Sequence, residues 1–166
     1  MLALRSEIPG TDRAWPRRLL IFASFLCGAL LYGQLGEKLP AVSRDFFQST
    51  YAFLLPLAAG LILSASLLGP LLLPICALAL GLVSGFSAGE IREGWFAGAG
   101  LDGRLIWLNL ISVPAFFAIA VKGLKISSML YSAMERQGLR GKSEFSGEYI
   151  PMIITVIVAV LACCLI

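Results

Sequence analysis

The chain has 166 residues, 58% of them hydrophobic and 14% charged, with a net charge of +3 and no histidine. That balance lies so far from soluble averages that it excludes a soluble catalytic domain, because nearly the whole length is needed for one helical membrane domain. No Asp, Glu, Lys or Arg occurs between Asp45 and Glu90, and about 20 apolar helical residues cross the hydrocarbon core of a bilayer. The expected fold is therefore all-α: a polytopic transmembrane bundle with about five crossings, residues 19–166, behind a cytoplasmic N-terminal segment, residues 1–18.

In chain order, Pro9-Gly10 and Pro16 argue against one continuous N-terminal helix, and Trp15, Arg17 and Arg18 form an interfacial anchor. The first crossing spans residues 19–36 and contains Gly28, Tyr32, Gly33 and Gln34. Its basic flank also suits a signal peptide, but the A-x-A pattern expected before cleavage is missing near its end and further crossings follow, so an uncleaved anchor is expected. Residues 37–50 read as an exposed membrane-surface segment with Pro40, Phe46 and Phe47, leading to an interfacial Tyr51.

A helical hairpin follows, with crossings over 51–68 and 70–89 that reverse at Gly69-Pro70, where Pro removes a donor and Gly permits a tight turn. Pro56, Pro70 and Pro74 are able to kink or end helices. Gly81, Gly85 and Gly89 recur every four residues and so line one side of the second arm, where missing side chains let another helix approach closely. That face serves either packing within the chain or a seam between subunits of a homo-oligomer. Ser84, with Ser64, Ser66 and Ser87, supplies hydroxyls that bond to backbone carbonyls or neighbouring helices.

Residues 90–104 read as a Gly-rich outer loop, in which Trp95 and Phe96 dip into the interface while Arg92, Glu93 and Asp102 stay wet. The fourth crossing covers 105–121; Asn109 is its most polar member, Pro114 a possible kink, and Lys122 snorkels from its end. Over 122–137, Ile126, Met129, Leu130, Ala133 and Met134 fall at helical spacing opposite Lys125, Ser128, Ser132 and Glu135. This is a cytoplasmic amphipathic segment that lies on the membrane, extends the preceding crossing, or caps the bundle's inner mouth. Gly138, Gly141 and Gly147 then loosen the chain before the last crossing, 149–166. With the N-terminus inside and the C-terminus outside, nine basic residues fall inside (Arg5, Arg13, Arg17, Arg18, Lys122, Lys125, Arg136, Arg140, Lys142) against four outside (Lys38, Arg44, Arg92, Arg104), as the positive-inside rule favours. Nucleic-acid binding is a poor account of these charges.

Two motifs look catalytic and fail in context. Gly85-Phe86-Ser87-Ala88-Gly89 matches the nucleophile pattern G-x-S-x-G, but it lies in a helix instead of a strand-to-helix elbow, and no His exists to act as base. Gly98-Ala99-Gly100-Leu101-Asp102-Gly103 matches G-x-G-x-x-G without a preceding strand. Cys27, Cys76, Cys163 and Cys164 form no separated C-x-x-C pairs; they read as small apolar packing residues, and no metal or cofactor is expected. The crossings carry no ionisable acid or base of the kind ion-coupled carriers use. An enzyme is not expected.

Three passages resemble the stage II sporulation protein M family, small multi-pass membrane proteins of endospore formers: FLCGALLYG from Phe25, GPLLLPICALALGLVSGFSAG from Gly69, and LNLISVPAFFAIAVKGLKISSMLYS from Leu108. The resemblance spans most of the chain, which is somewhat short for the family. It implies a cell-membrane scaffold that holds peptidoglycan-degrading partners, the stage II D and P proteins, during forespore engulfment. On that reading the contacts come from the Gly81, Gly85 and Gly89 side or from the outer loops, and membrane lipid surrounds the rest. The alternative is a small-solute transport component or permease subunit, built from Ser, Asn and backbone carbonyls.

Overall fold

Two breaks in hydrogen bonding organise the long apolar middle of the chain, one at residues 65–68 and one after Phe96. The computed structural model describes residues 15–35, 41–98, 103–135 and 142–165, all in α-helices or the short turns between them. The helices are α1 (Trp15–Leu35), α2 (Ala41–Gln48), α3 (Thr50–Ser64), α4 (Gly69–Phe96), α5 (Gly103–Glu135) and α6 (Lys142–Leu165). Among them α4 and the stretch Gly103–Ser127 are long and apolar enough to cross a membrane; α3 and Tyr149–Leu165 are shorter apolar helices.

Several boundaries differ from the sequence expectation, each for a local reason. The hairpin reverses at residues 65–68, and Gly69-Pro70 opens α4 instead of forming the turn. Proline in a helix's first turn lacks only an N–H that would have no intrahelical partner there. Gly69 is required by proximity, since a Cβ there would stand 2.6 Å from the Leu63 carbonyl oxygen. The expected outer loop over 90–104 is largely helix. α4 runs through Glu90, Arg92 and Glu93 to Phe96, and it is ended by Gly98, whose φ of 67° takes the left-handed conformation that glycine adopts without strain. Residues 99–102 of that loop, Asp102 among them, lie outside the described residues.

Residues 122–135 continue the fourth helix without a break, which selects extension among the three placements the amphipathic pattern allowed. α5 thus has 33 residues, roughly 50 Å at 1.5 Å per residue, against about 30 Å of hydrocarbon. The last helix starts at Lys142, so Gly147 sits inside it instead of loosening the approach to it. Gly138 and Gly141 lie outside the described residues, as do residues 1–14, 36–40 and 166. Pro56, Pro74, Pro114 and Pro151 are each carried within a helix, which continues past them.

Packing runs in sequence from α1 through α4 to α3 and α5, and then to α6. Contacts fix the directions. Phe25 and Ala29 of α1 meet Gly81 and Gly85 of α4 in the same order, so these helices are parallel. Gly60 meets Phe116, Ser64 meets Gly123, and Ser66 bonds Ser127, so α3 and α5 are parallel to each other as well. Because the short turn makes α3 and α4 antiparallel, Arg17, Arg18, Lys122 and Lys125 share one end. Asp45, Glu90, Arg92, Glu93 and Arg104 share the other.

The interior is filled by Phe53, Phe86, Phe116, Leu57, Leu73, Leu80, Leu108, Ile119, Ile126 and Met152, all fully buried. The outside is equally apolar. Leu30, Ile62, Leu71, Leu110 and Leu161, one from each long helix, are between 58% and 74% exposed.

Candidate functional site

Gly81, Gly85 and Gly89 face α1. A Cβ at Gly81 would collide with the Phe25 carbonyl, one at Gly85 would stand 2.6 Å from the Ala29 carbonyl oxygen, and one at Gly89 would stand 2.8 Å from the Tyr32 ring. The seam is reciprocal, because a Cβ at Gly28 of α1 would collide with the Leu78 carbonyl of α4. The four-residue spacing thus brings two backbones together inside one chain. Of the two uses read from the sequence, packing within the chain or a seam with a partner, the first describes this side in the structure, where α1 lies against it.

Ser84 and Ser87 are on the same helix, and Asn109 lies across from them on α5. Asn109 Nδ2 donates to Ser87 Oγ and to the Leu105 carbonyl at 3.0 Å. Ser87 Oγ in turn lies 3.2 Å from the Val83 carbonyl and 3.0 Å from that of Ser84. The hydroxyl that the G-x-S-x-G motif would offer as nucleophile is therefore buried and engaged with its own helix, joining α4 to α5. Ser84 Oγ is buried with no hydrogen-bond partner. Among the described residues no group of three or more His, Cys, Asp or Glu side chains gathers as a metal site would need.

Trp95 and Phe96 occupy the last turn of α4 and are 65% and 83% exposed. The same end of the bundle carries aromatic rings from three other helices, Phe46 of α2, Tyr51 of α3 and Trp107 of α5, all at least half exposed. This end is held in place by packing beneath it. Phe47 stacks on Phe86 with ring centres 5.4 Å apart, Tyr32 meets Phe86 edge-on at 5.0 Å, and Phe46 leans on Phe47 at 5.8 Å. Arg104 Nη2 donates to Thr50 Oγ1 at 2.7 Å, tying the first turn of α5 to that of α3. The segment read from sequence as a surface connection, residues 37–50, accordingly contributes a helix, α2, whose half-buried Phe47 stacks on the buried Phe86 ring.

Trp107 was missed by sequence reasoning because it sits inside an apolar run, where an aromatic reads as core. Gly60 and Gly123 were missed because each stands alone. Their function is spatial: Gly60 leaves room for the Phe116 ring, and Gly123 for Ser64. The chemistry this surface offers is contact by flat, amphipathic rings with a few charges alongside, which suits a membrane interface or a protein partner.

No family model matches the sequence, and neither a curated protein nor a solved structure matches it.

Proposed function

We propose that the chain is a multi-pass cell-membrane protein, N-terminus inside and C-terminus outside, whose α1, α3, α4, α5 and α6 cross the bilayer. Its work is to hold other proteins, in particular peptidoglycan-degrading partners during forespore engulfment. The observation that carries the membrane reading is the outward apolar side chains on every long helix, together with the placement of the charges among the described residues at the two ends. In water such a surface costs about 25 cal/mol per Å² of apolar area left exposed; in lipid it costs nothing. The end bearing Arg17, Arg18, Lys122 and Lys125 is then the cytoplasmic one.

The scaffold reading is supported by how the interior is used. Its large side chains fill it, and the hydroxyls of Ser64, Ser112 and Thr155 each bond a carbonyl four residues back, leaving them committed to their own helices. The identity of the partners comes from the resemblance of three passages to the stage II M family. Since α1 fills the glycine face, the exposed aromatic end around Trp95 and Phe96 is the surface left for a partner on the outer side. Affinity purification of the tagged chain from detergent-solubilised membranes of sporulating cells should recover cell-wall hydrolases, and the Trp95→Ala, Phe96→Ala double variant should lose them while inserting normally. Purification that enriches no hydrolase would count against the scaffold role.

A further inference from the structure

We propose that the α3–α4 turn, residues 65–68, remains in the acyl–headgroup boundary of the bilayer, with Leu67 and Leu68 resting in lipid, and does not stand in water as a cytoplasmic loop. The inference rests on the multi-pass reading above and specifies where one of its loops lies. Leu67 and Leu68 are 46% and 60% exposed, and Leu71 just beyond them is 71% exposed. No Asp, Glu, Lys or Arg lies between Asp45 and Glu90, so the turn has no charge of its own to hold it in water.

Part of the turn's polar backbone is engaged within the protein, while the N–H groups of Leu67 and Leu68 find no partner there and are met by interfacial water and lipid ester oxygens at the acyl–headgroup boundary. Ala65 N–H donates to the Ile62 carbonyl at 3.2 Å, Ser66 N–H to that of Leu63 at 3.0 Å, and Gly69 N–H to that of Ser66 at 3.1 Å. Leu71 and Leu72 both donate to the Leu68 carbonyl at 3.0 Å, and Pro70 has no N–H to place. Two hydroxyls add bonds: Ser66 Oγ donates to the Leu63 carbonyl at 2.8 Å, and Ser127 Oγ reaches from α5 to the Ser66 carbonyl at 3.0 Å. A loop bathed in water gains little from a neighbouring helix capping its carbonyl. A turn shielded from water gains much more.

Depth follows from the neighbouring helix. Gly123 packs against Ser64 and Ser127 bonds Ser66, so Lys122 and Lys125 stand on α5 level with the end of α3 and the start of the turn. Lysine ammonium groups reach headgroup phosphates by snorkelling, which sets this level, with the exposed Leu67 and Leu68 beside it, at the boundary. α3 has 15 residues, or about 22 Å of helix against about 30 Å of hydrocarbon. Such a helix spans the core only if its turn lies at or below the surface.

The test uses nitroxide spin labels on the full chain with Cys27, Cys76, Cys163 and Cys164 replaced by alanine, reconstituted in phosphatidylethanolamine–phosphatidylglycerol vesicles. Collisions with oxygen and with a neutral nickel chelate are measured at Leu68→Cys, at Ile75→Cys as the lipid reference, and at Gly147→Cys as the water reference. The expected result is a nickel collision rate at Leu68→Cys about tenfold below that at Gly147→Cys, close to Ile75→Cys, because desolvation excludes the polar chelate. A water-like rate at Leu68→Cys beside a lipid-like Ile75→Cys overturns the turn proposal alone. Water-like rates at both overturn the multi-pass reading, and the turn proposal with it. Hydroxyl-radical footprinting of the unsubstituted chain in the same vesicles is the control against misfolding of the labelled variants: Leu67 and Leu68 should be protected relative to Phe96, and equal oxidation overturns the proposal.

Discussion

The α1–α4 and α5–α6 seams hold helices together by opposite means. Along α1–α4, Gly28, Gly81 and Gly85 let main chains touch, and a single added methyl group would meet a carbonyl. Along α6, Met152, Val156, Ala159 and Cys163 are buried at alternating four- and three-residue intervals, so that seam is made of side chains. The first depends on atoms that are missing and the second on atoms that are present. On the multi-pass reading proposed above both seams lie in lipid, where apolar side chains gain no hydrophobic drive by leaving the solvent, and both rely on dispersion and close fit.

This contrast is broken most severely at the first seam. Gly81→Leu should prevent α1 from docking, costing more than about 3 kcal/mol because the obstacle is backbone that cannot rotate away; unfolding titrations in mixed detergent micelles should show it as a large drop in midpoint. Met152→Ala attacks the second seam by truncation, with an expected loss of about 2–3 kcal/mol from the cavity left behind, read on the same titration. If the two variants cost the same, the distinction between the seams is lost.

Smaller effects sharpen it. Asn109→Ala removes the α4–α5 bond to Ser87 and should cost about 0.6 kcal/mol, the usual worth of a hydrogen bond between membrane helices. Gly147→Ala should stabilise by about 0.5 kcal/mol, because nothing lies within 4 Å of the added Cβ and the helical backbone suits alanine. The opposite sign at Gly81 and Gly147 is the sharpest check that space, and not residue type, governs these glycines. Ile157→Ala, on the exposed face of α6, should stay within about 0.5 kcal/mol of the parent.

Helicity and apolar character were legible in the sequence because they are local: charge-free runs and three- to four-residue spacing report them without knowledge of neighbours. The candidate site was legible only in pieces. Trp95 and Phe96 stood out as aromatic residues among glycines and charges, whereas Trp107 was hidden in an apolar run and joins them only once α5 lies beside α4. Asn109 was recognisable as a polar residue to be satisfied, but Ser87 as its acceptor depends on the antiparallel pairing of the two helices.

The sequence by itself determined that the chain makes long apolar helices, that one side of α4 is stripped of side chains, and that its charges cluster near helix ends. Tertiary structure decided that α1 lies on the stripped side, that α3 stops at Ser64, and that α5 continues unbroken past Lys122. The physical reason is that a periodic pattern specifies a face but not its occupant. Helix ends are set by which carbonyl can find a donor, and here one of those donors, Ser127, is 61 residues away from the Ser66 carbonyl it caps.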